Sequence, residues 1–254
     1  YEPFRFTQSQ AYLYAVCERD YPDLWARVKT AVSEGRWEPT GGMWVEPDAN
    51  IPSGESLIRQ LLHGQTFFRE KFGVTATVAW LPDTFRWRGM GNAEIVTHFL
   101  TATEYHPATN RHNATYRGEA NVAQIAEAWG NYRHKATHNE TLHCVGYGDG
   151  GGGVTREMIE VVSRVSNADF GRADAFFDRL HAKKTAFPVW RGELYLENHR
   201  GAYTSQAWLK AANRRCETAL RNAEIFATLS ETEAGTAYPA DVLRGAWETL
   251  LTNQ

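Results

Sequence analysis

An α/β domain with a largely parallel sheet, followed by an all-helical segment, is the fold class that this sequence predicts, on three observations. Between Trp37 and Leu196, short apolar runs rich in β-branched and aromatic residues alternate with longer runs of 3–4 spacing, as strand–helix units do. Three of the short runs end in a carboxylate, as strands carrying a site at their carboxyl ends would. After Tyr203 the strand pattern stops, and Ala, Arg and Glu dominate two helix-compatible stretches.

The stretch 74–85 organises the reading. Val74, Ala76, Val78 and Trp80 alternate with Thr75, Thr77, Ala79 and Leu81, a period-2 pattern that predicts a strand. Pro82 has no N–H for a ladder and ends it, so Asp83 follows the strand's carboxyl end. Asp after Pro also simply opens turns. The arrangement recurs where Met43-Trp44-Val45 meets Glu46-Pro47-Asp48, and where Leu142–Tyr147 meets Gly148-Asp149.

Around these runs the elements follow in order. Ser9–Gly35 reads as helical, interrupted at Tyr21-Pro22 and stopped by Gly35. Trp37–Val45 is a strand candidate broken by Gly41-Gly42. Ser53 is an N-cap, and Leu57, Ile58, Leu61, Leu62, Phe68 and Phe72 stripe a helix ending at Gly73. Ala93–Thr101 reads as a strand, 102–117 as a polar loop, and Val122–Tyr132 as a helix. Helices are predicted near 155–165 and 173–183, a strand at Val189–Leu196, then helices over Thr204–Leu229 and from Tyr238-Pro239 to Leu251.

Composition excludes several classes. With 27 Lys and Arg against 30 Asp and Glu, the formal charge of -3 gives no nucleic-acid footprint. No apolar run approaches the roughly 20 residues of a membrane span. Cys17, Cys144 and Cys216 are few, scattered and odd in number, which argues against a disulfide framework and fits a reducing, cytoplasmic setting.

The glycine run offers two chemistries. Gly146–Gly151 matches G-x-G-x-x-G and invites a dinucleotide-dependent oxidoreductase, but Asp149 would stand where a pyrophosphate must sit. The better reading is an acid held on backbone that a ligand can approach closely. His134 and His138 share i, i+4 spacing, but without the Glu of H-E-x-x-H they read as an exposed helix face; His98 reads as a satisfied core histidine.

Five runs together resemble one family: Gly41-Gly-Met-Trp-Val-Glu-Pro-Asp48, Pro52-Ser-Gly-Glu-Ser-Leu-Ile-Arg-Gln60, Trp80-Leu-Pro-Asp-Thr-Phe85, Gly146-Tyr-Gly-Asp-Gly-Gly-Gly-Gly153 and His199-Arg-Gly-Ala-Tyr-Thr-Ser-Gln206. The chain is similar to glycoside hydrolase family 38 α-mannosidases, in their bacterial and cytosolic branch. The resemblance implies a partial seven-stranded β/α barrel over 1–198 and the start of a three-helix middle domain over 199–254. It implies retaining hydrolysis of mannose-containing oligosaccharides with a zinc ion. Asp83 matches the nucleophile, which is also a zinc ligand, and Asp149 lies in the run matching the acid/base region. Glu46, Asp48, Trp80, His199 and Arg200 are expected at the substrate. Retaining chemistry needs two carboxyl groups roughly 5 Å apart.

The departures are equally specific. The family's His-x-His-x-Asp zinc motif is expected before Tyr1, and a His-Asp pair beyond Gln254. Phe85 runs straight into Arg86-Trp-Arg-Gly-Met-Gly91, which resembles a later barrel segment, so an internal block is expected to be missing. Val154 stands where Pro is usual. The chain by itself is therefore expected to hold no stoichiometric zinc, to lack turnover, and to be marginally stable or self-associate through uncovered apolar surface. A catalytically inactive carbohydrate-binding relative is the alternative.

Overall fold

The computed structural model describes residues 2–79, 87–89, 93–98, 100–107, 110–148, 151–184, 187–192 and 204–254. In chain order its elements are β1 (Phe6–Gln8), α1 (Ala11–Asp20), α2 (Pro22–Ser33), β2 (Trp37–Pro39), α3 (Gly54–Phe72), β3 (Trp87–Arg88), β4 (Glu94–Ile95), β5 (Thr103–His106), β6 (Arg111–Ala114), α4 (Val122–Asn131), α5 (Arg156–Val162), α6 (Ala173–His181), β7 (Trp190–Arg191), α7 (Ala207–Ala234) and α8 (Ala240–Thr252). The chain divides into two compact units, one of Tyr1–Phe6 with Leu81–Leu196 and the other of Thr7–Trp80 with Glu197–Gln254.

In the second unit the sequence punctuation acts as expected. Pro22 occupies the first turn of α2, where a missing N–H costs nothing. Ser53 caps α3 by accepting the Ser56 N–H at 3.2 Å, and Gly73 closes the helix in the left-handed region. The apolar faces of α1, α2 and α3 meet around Tyr14, whose ring lies edge-on to Phe68 (5.5 Å) and Phe72 (5.3 Å). Its hydroxyl donates to the Gln8 carbonyl at 2.9 Å and accepts from Trp37 Nε1 at 2.8 Å, so burying it leaves no orphan.

The run 53–60 docks α3 against the C-terminal helices. Buried Glu217 of α7 accepts the Ser53 N–H (2.8 Å) and the Ser56 hydroxyl (2.7 Å), and pairs with Arg214 at 2.6 Å. Arg59 makes a two-pronged pair with Glu224 (2.6 Å each) and lies over the Trp247 ring at 4.0 Å. Gln60 is fully buried; its Oε1 accepts the Val45 N–H and its Nε2 donates to the Leu251 carbonyl, both at 2.9 Å. Trp44, Trp247, Leu250 and Leu251 complete this core.

The predicted strand at 74–81 is corrected over its described part. Burial alternates as the pattern demands, with Val74, Ala76 and Val78 inward and Thr75, Thr77 and Ala79 exposed, but 74–79 forms no strand. Side chain and loop groups take its backbone instead: Gln65 accepts the Ala76 N–H (3.0 Å) and donates to its carbonyl (2.7 Å), and Gly41 N–H donates to Val78 at 2.9 Å. The strand predicted through Val45 stops at Pro39, where left-handed Gly41 and Gly42 turn the chain.

The first unit departs further. The predicted loop 102–117 holds an antiparallel hairpin of β5 and β6, registered Thr103 to Ala114. Over their described parts, the strands predicted at 93–101 and 189–196 pair as β4 and β7, on either side of β3; β4 is antiparallel to it and β7 parallel. Val145 makes a single parallel bridge to Gly118. Among the described residues the pairing is thus mixed rather than largely parallel. Helices α4, α5 and α6 lie where predicted, with Asn121 and Thr155 as caps. The His134–His138 stretch is not a helix face: α4 ends at Asn131, and His138 is 1% exposed, packed against Phe176 at 5.6 Å.

Gly64 sets helix propensity against packing. A Cβ there would lie 2.4 Å from the Met43 carbonyl carbon and 2.5 Å from the Gly42 oxygen, both backbone. Gly64→Ala should gain about 1 kcal/mol of helix propensity yet be destabilising by about 1–3 kcal/mol net, because overpacked backbone must move. Urea unfolding measures it; a more stable variant would show that the 41–44 segment does not cross α3 this closely.

Candidate active site

Of the residues expected at the site, Glu46 and Asp48 lie among the described residues, both in the second unit; Trp80, Asp83, Asp149, His199 and Arg200 lie outside them. The two described carboxylates differ sharply. Glu46 is half-buried and accepts from the hydroxyl of buried Ser9, and burial pushes its carboxyl above the ordinary range, the Ser9 bond opposing this only in part. Asp48 is exposed and builds a turn: its Oδ1 accepts the Asn50 N–H at 3.0 Å and its own N–H donates to the Gln254 carbonyl at 3.0 Å.

The glycine run belongs to the other unit. Leu142–Val145 approaches it beside Gly118, whose N–H donates to the Cys144 carbonyl at 2.6 Å. A Cβ on Gly118 would meet that oxygen at 2.4 Å and the His143 ring at 2.5 Å, so only glycine allows the approach. Gly148 is left-handed, and Gly151 N–H closes back on its carbonyl at 2.7 Å. A cavity of about 490 Å³ borders the run, lined by Glu104, Arg117, Glu119, Asn121, Tyr147 and Glu157 among others. Sequence reading missed this lining; its one signal was the sequence Tyr116-Arg117-Gly118-Glu119, a second glycine flanked by charge.

No group of three or more His, Cys, Asp or Glu side chains among the described residues could hold a metal ion. The described residues therefore do not fit a zinc site. Cys17, Cys144 and Cys216 are all free thiols, as their scatter predicted. No described helix is long and apolar enough to cross a membrane.

The family model for the glycosyl hydrolases family 38 N-terminal domain matches this chain in two pieces, residues 1–86 and 84–193, and the alpha mannosidase middle domain matches 197–254. The chain belongs to glycosyl hydrolase family 38. Among curated relatives, alpha-mannosidase G of Dictyostelium discoideum is 36% identical over 91% of this chain and 24% of its own length. Alpha-mannosidase 2C1 of Homo sapiens is 31% identical over 99% of this chain and 27% of its own length. The crystal structure of an alpha-mannosidase from Enterococcus faecalis V583 superposes with a TM-score of 0.69 at 19% identity, covering 99% of this chain and 33% of that one, and so shares the fold.

The chain spans about a quarter of the length of the curated family 38 relatives it matches. The match to the human relative covers 294 aligned positions against 254 residues here, so at least 40 positions have no counterpart. The family model breaks and resumes at 84–86. That is where Phe85 runs into Arg86, the position expected for a missing block.

Glu46 yields a signed pH dependence. Its folded-state pKa is raised, so the charged form is penalised: the cost is absent below the ordinary carboxylate value and grows as pH rises through the folded one. Glu46→Gln, which still accepts from Ser9, should therefore raise the urea midpoint at pH 7 and lose that advantage by about pH 4. A lowered midpoint at pH 7 would mean that the carboxylate is held by charge partners rather than merely desolvated.

Proposed function

We propose that this chain carries the catalytic-domain portion of an α-mannosidase that removes terminal α-linked mannose with retention of configuration. The observation that carries the reading is the family 38 match in two pieces, 1–86 and 84–193, followed by the middle-domain match over 197–254. The names of the relatives, each an alpha-mannosidase, support the substrate class. In this reading 1–198 is a partial β/α barrel and 199–254 begins a three-helix middle domain. The TM-score of 0.69 supports that fold. The family match leaves the dinucleotide alternative without support.

The chemistry assigned to the residues is a double displacement. A carboxylate oxygen of Asp83 attacks the anomeric carbon as the glycosidic C–O bond breaks, and the Asp149 carboxyl gives its proton to the leaving oxygen. Water then attacks the glycosyl ester, losing its proton to Asp149 and releasing Asp83. Trp80, Glu46, Asp48, His199 and Arg200 are assigned to substrate contacts. In any form of the protein that turns over an aryl α-mannoside, Asp83→Asn should lower the rate by about 10³-fold or more with an unchanged circular dichroism spectrum. Turnover near the unaltered rate would remove Asp83 from the nucleophile role.

Zinc enters as the family's cofactor, with Asp83 as the one candidate ligand in this chain; a catalytic zinc needs about three protein ligands. In a second reading the chain binds mannosides without cleaving them, because a lone carboxylate does not hold a catalytic zinc. After dialysis into metal-free buffer, the 254-residue chain is expected to hold far less than one zinc per chain and to leave an aryl α-mannoside intact. One retained zinc with turnover would overturn both statements, and mannose binding without turnover would favour the second reading. The free thiols support a reducing, cytoplasmic setting.

A further inference from the structure

We propose that His98 is a positioning residue for the glycine run: its ring accepts the Leu142 N–H and thereby fixes the 142–146 segment, and protonation of the ring releases that segment. Leu142 N–H donates to His98 Nε2 at 3.2 Å, and Thr141 Oγ1 lies 3.1 Å from the same nitrogen. An imidazole nitrogen that accepts carries no proton, so the ring's single proton sits on Nδ1. The two partners are not equivalent. The Thr141 hydroxyl can give or take a hydrogen bond, whereas an amide N–H can only give one. When Nε2 gains a proton it can still bond Thr141, but it now points a donor at the Leu142 donor, and that bond is lost.

The segment has few other ties. Beyond Leu142, its described backbone bonds are those from Gly118 to Cys144 (2.6 Å) and from Gly146 to Gly118 (3.4 Å), and the glycine run begins at Gly146. Losing the Leu142 bond leaves the segment held at Gly118, by the His143 contact with the Glu119 carbonyl (3.2 Å), and through the flanking Thr141. The consequence for turnover depends on the reading of Asp149 as acid/base; the positioning itself does not.

The surroundings keep the ring neutral near pH 7. It lies edge-on to Phe176 of α6 at 4.8 Å and 5.4 Å from Tyr132, which ends α4. The charges acting on it are those of His138 and His134, both opposing protonation. His138 in turn faces Glu140, Lys183 and Arg179, and its ring nitrogens have no hydrogen-bond partner among the described residues. Burial first, and the two histidines after it, push His98 down to about 4. The sign follows: the stability held by the neutral ring is intact above the ordinary histidine value, declines below it, and is gone once pH falls through about 4.

The test uses the ¹⁵N-labelled 254-residue chain and reads the Leu142 amide and the His98 ring by NMR. At pH 7 the His98 proton should reside on Nδ1, and the Leu142 amide should be protected from hydrogen exchange. That protection, corrected for intrinsic exchange, should fall at least tenfold between pH 6 and pH 4. His98→Gln, which offers a non-titrating acceptor at the same reach, should keep the protection flat across that range. His98→Phe should lose it at least tenfold at every pH, while amides of α4 stay protected. A ring proton on Nε2, or the same pH-dependent loss in His98→Gln, would overturn the proposal. So would unchanged Leu142 protection in His98→Phe. Should His98→Phe fail to fold, the tautomer and the Gln variant still decide. None of these readings involves mannoside cleavage, so a failed mannosidase assignment and a failed positioning role are told apart.

Discussion

The Gln60 side chain is the constraint on which the second unit depends. It is fully buried, so each polar group must find a partner inside the protein, and it does: Val45 N–H on Oε1, the Leu251 carbonyl on Nε2, and Trp44 N–H on its own backbone oxygen. An unpaired buried amide would cost about 1–3 kcal/mol. One side chain thus ties the glycine-turned segment 41–48, helix α3 and helix α8 into a single arrangement. Glu217 does the same at the other end of α3. Its charge is balanced by Arg214 and by the N-terminal dipole of α3, and its oxygens take Ser53 and Ser56.

This recasts the run Pro52–Gln60. It helped carry the family resemblance, and a sequence reader is tempted to credit such a run to the site. In the structure Ser53, Ser56, Arg59 and Gln60 each reach across 160 or more positions to α7 or α8, or back to the 44–45 backbone. Their identities are explained by docking. Glu46 and Asp48 show the complementary limit. Both followed an apolar run, yet one is a desolvated carboxyl on Ser9 and the other an exposed turn former. Spacing along the chain carries no information about which carboxylate will be desolvated.

What was legible was local. The cap at Ser53 and the stop at Gly73 follow from hydrogen-bond chemistry within a few residues, and helices α3, α4 and α5 lie where predicted. What was not legible depended on distant partners. The 74–79 stretch has the burial rhythm of a strand, but its backbone is satisfied by the Gln65 side chain. The β5–β6 hairpin was hidden because the sequences of its strands, Thr103-Glu-Tyr-His106 and Arg111-His-Asn-Ala114, are mostly polar and show no apolar alternation. His138 was assigned to solvent because a helix was assumed to continue past Asn131; the chain turns there, and the ring goes inside against Phe176.

The seam at 84–86 connects the comparisons to the geometry of the first unit. The family model breaks there, and at least 40 aligned positions of the human relative have no counterpart here. The first described strand after the seam, β3, pairs with β4 and β7 through Trp87 and Arg88 among the described residues. Ile95 on β4 and Val189 and Trp190 at β7 are 57%, 44% and 52% exposed. Strands of a mostly buried sheet normally carry such residues inward, under helices on the sheet faces. A cavity of about 650 Å³, lined by Val96, Leu100, Leu180, Phe187 and Trp190 among others, opens on the same strands. Exposed β-branched and aromatic side chains beside an apolar hollow mark a face that the described residues leave uncovered. The second unit holds a continuous aromatic core around Tyr14, Trp25, Trp44, Phe68 and Trp247, and carries exposed apolar side chains of its own, Trp208, Phe226 and Val242 among them. The break in the family match thus lies within the stretch 81–196 of the unit that bears the glycine run, while Gln60 and Glu217 tie together the helices of the other unit.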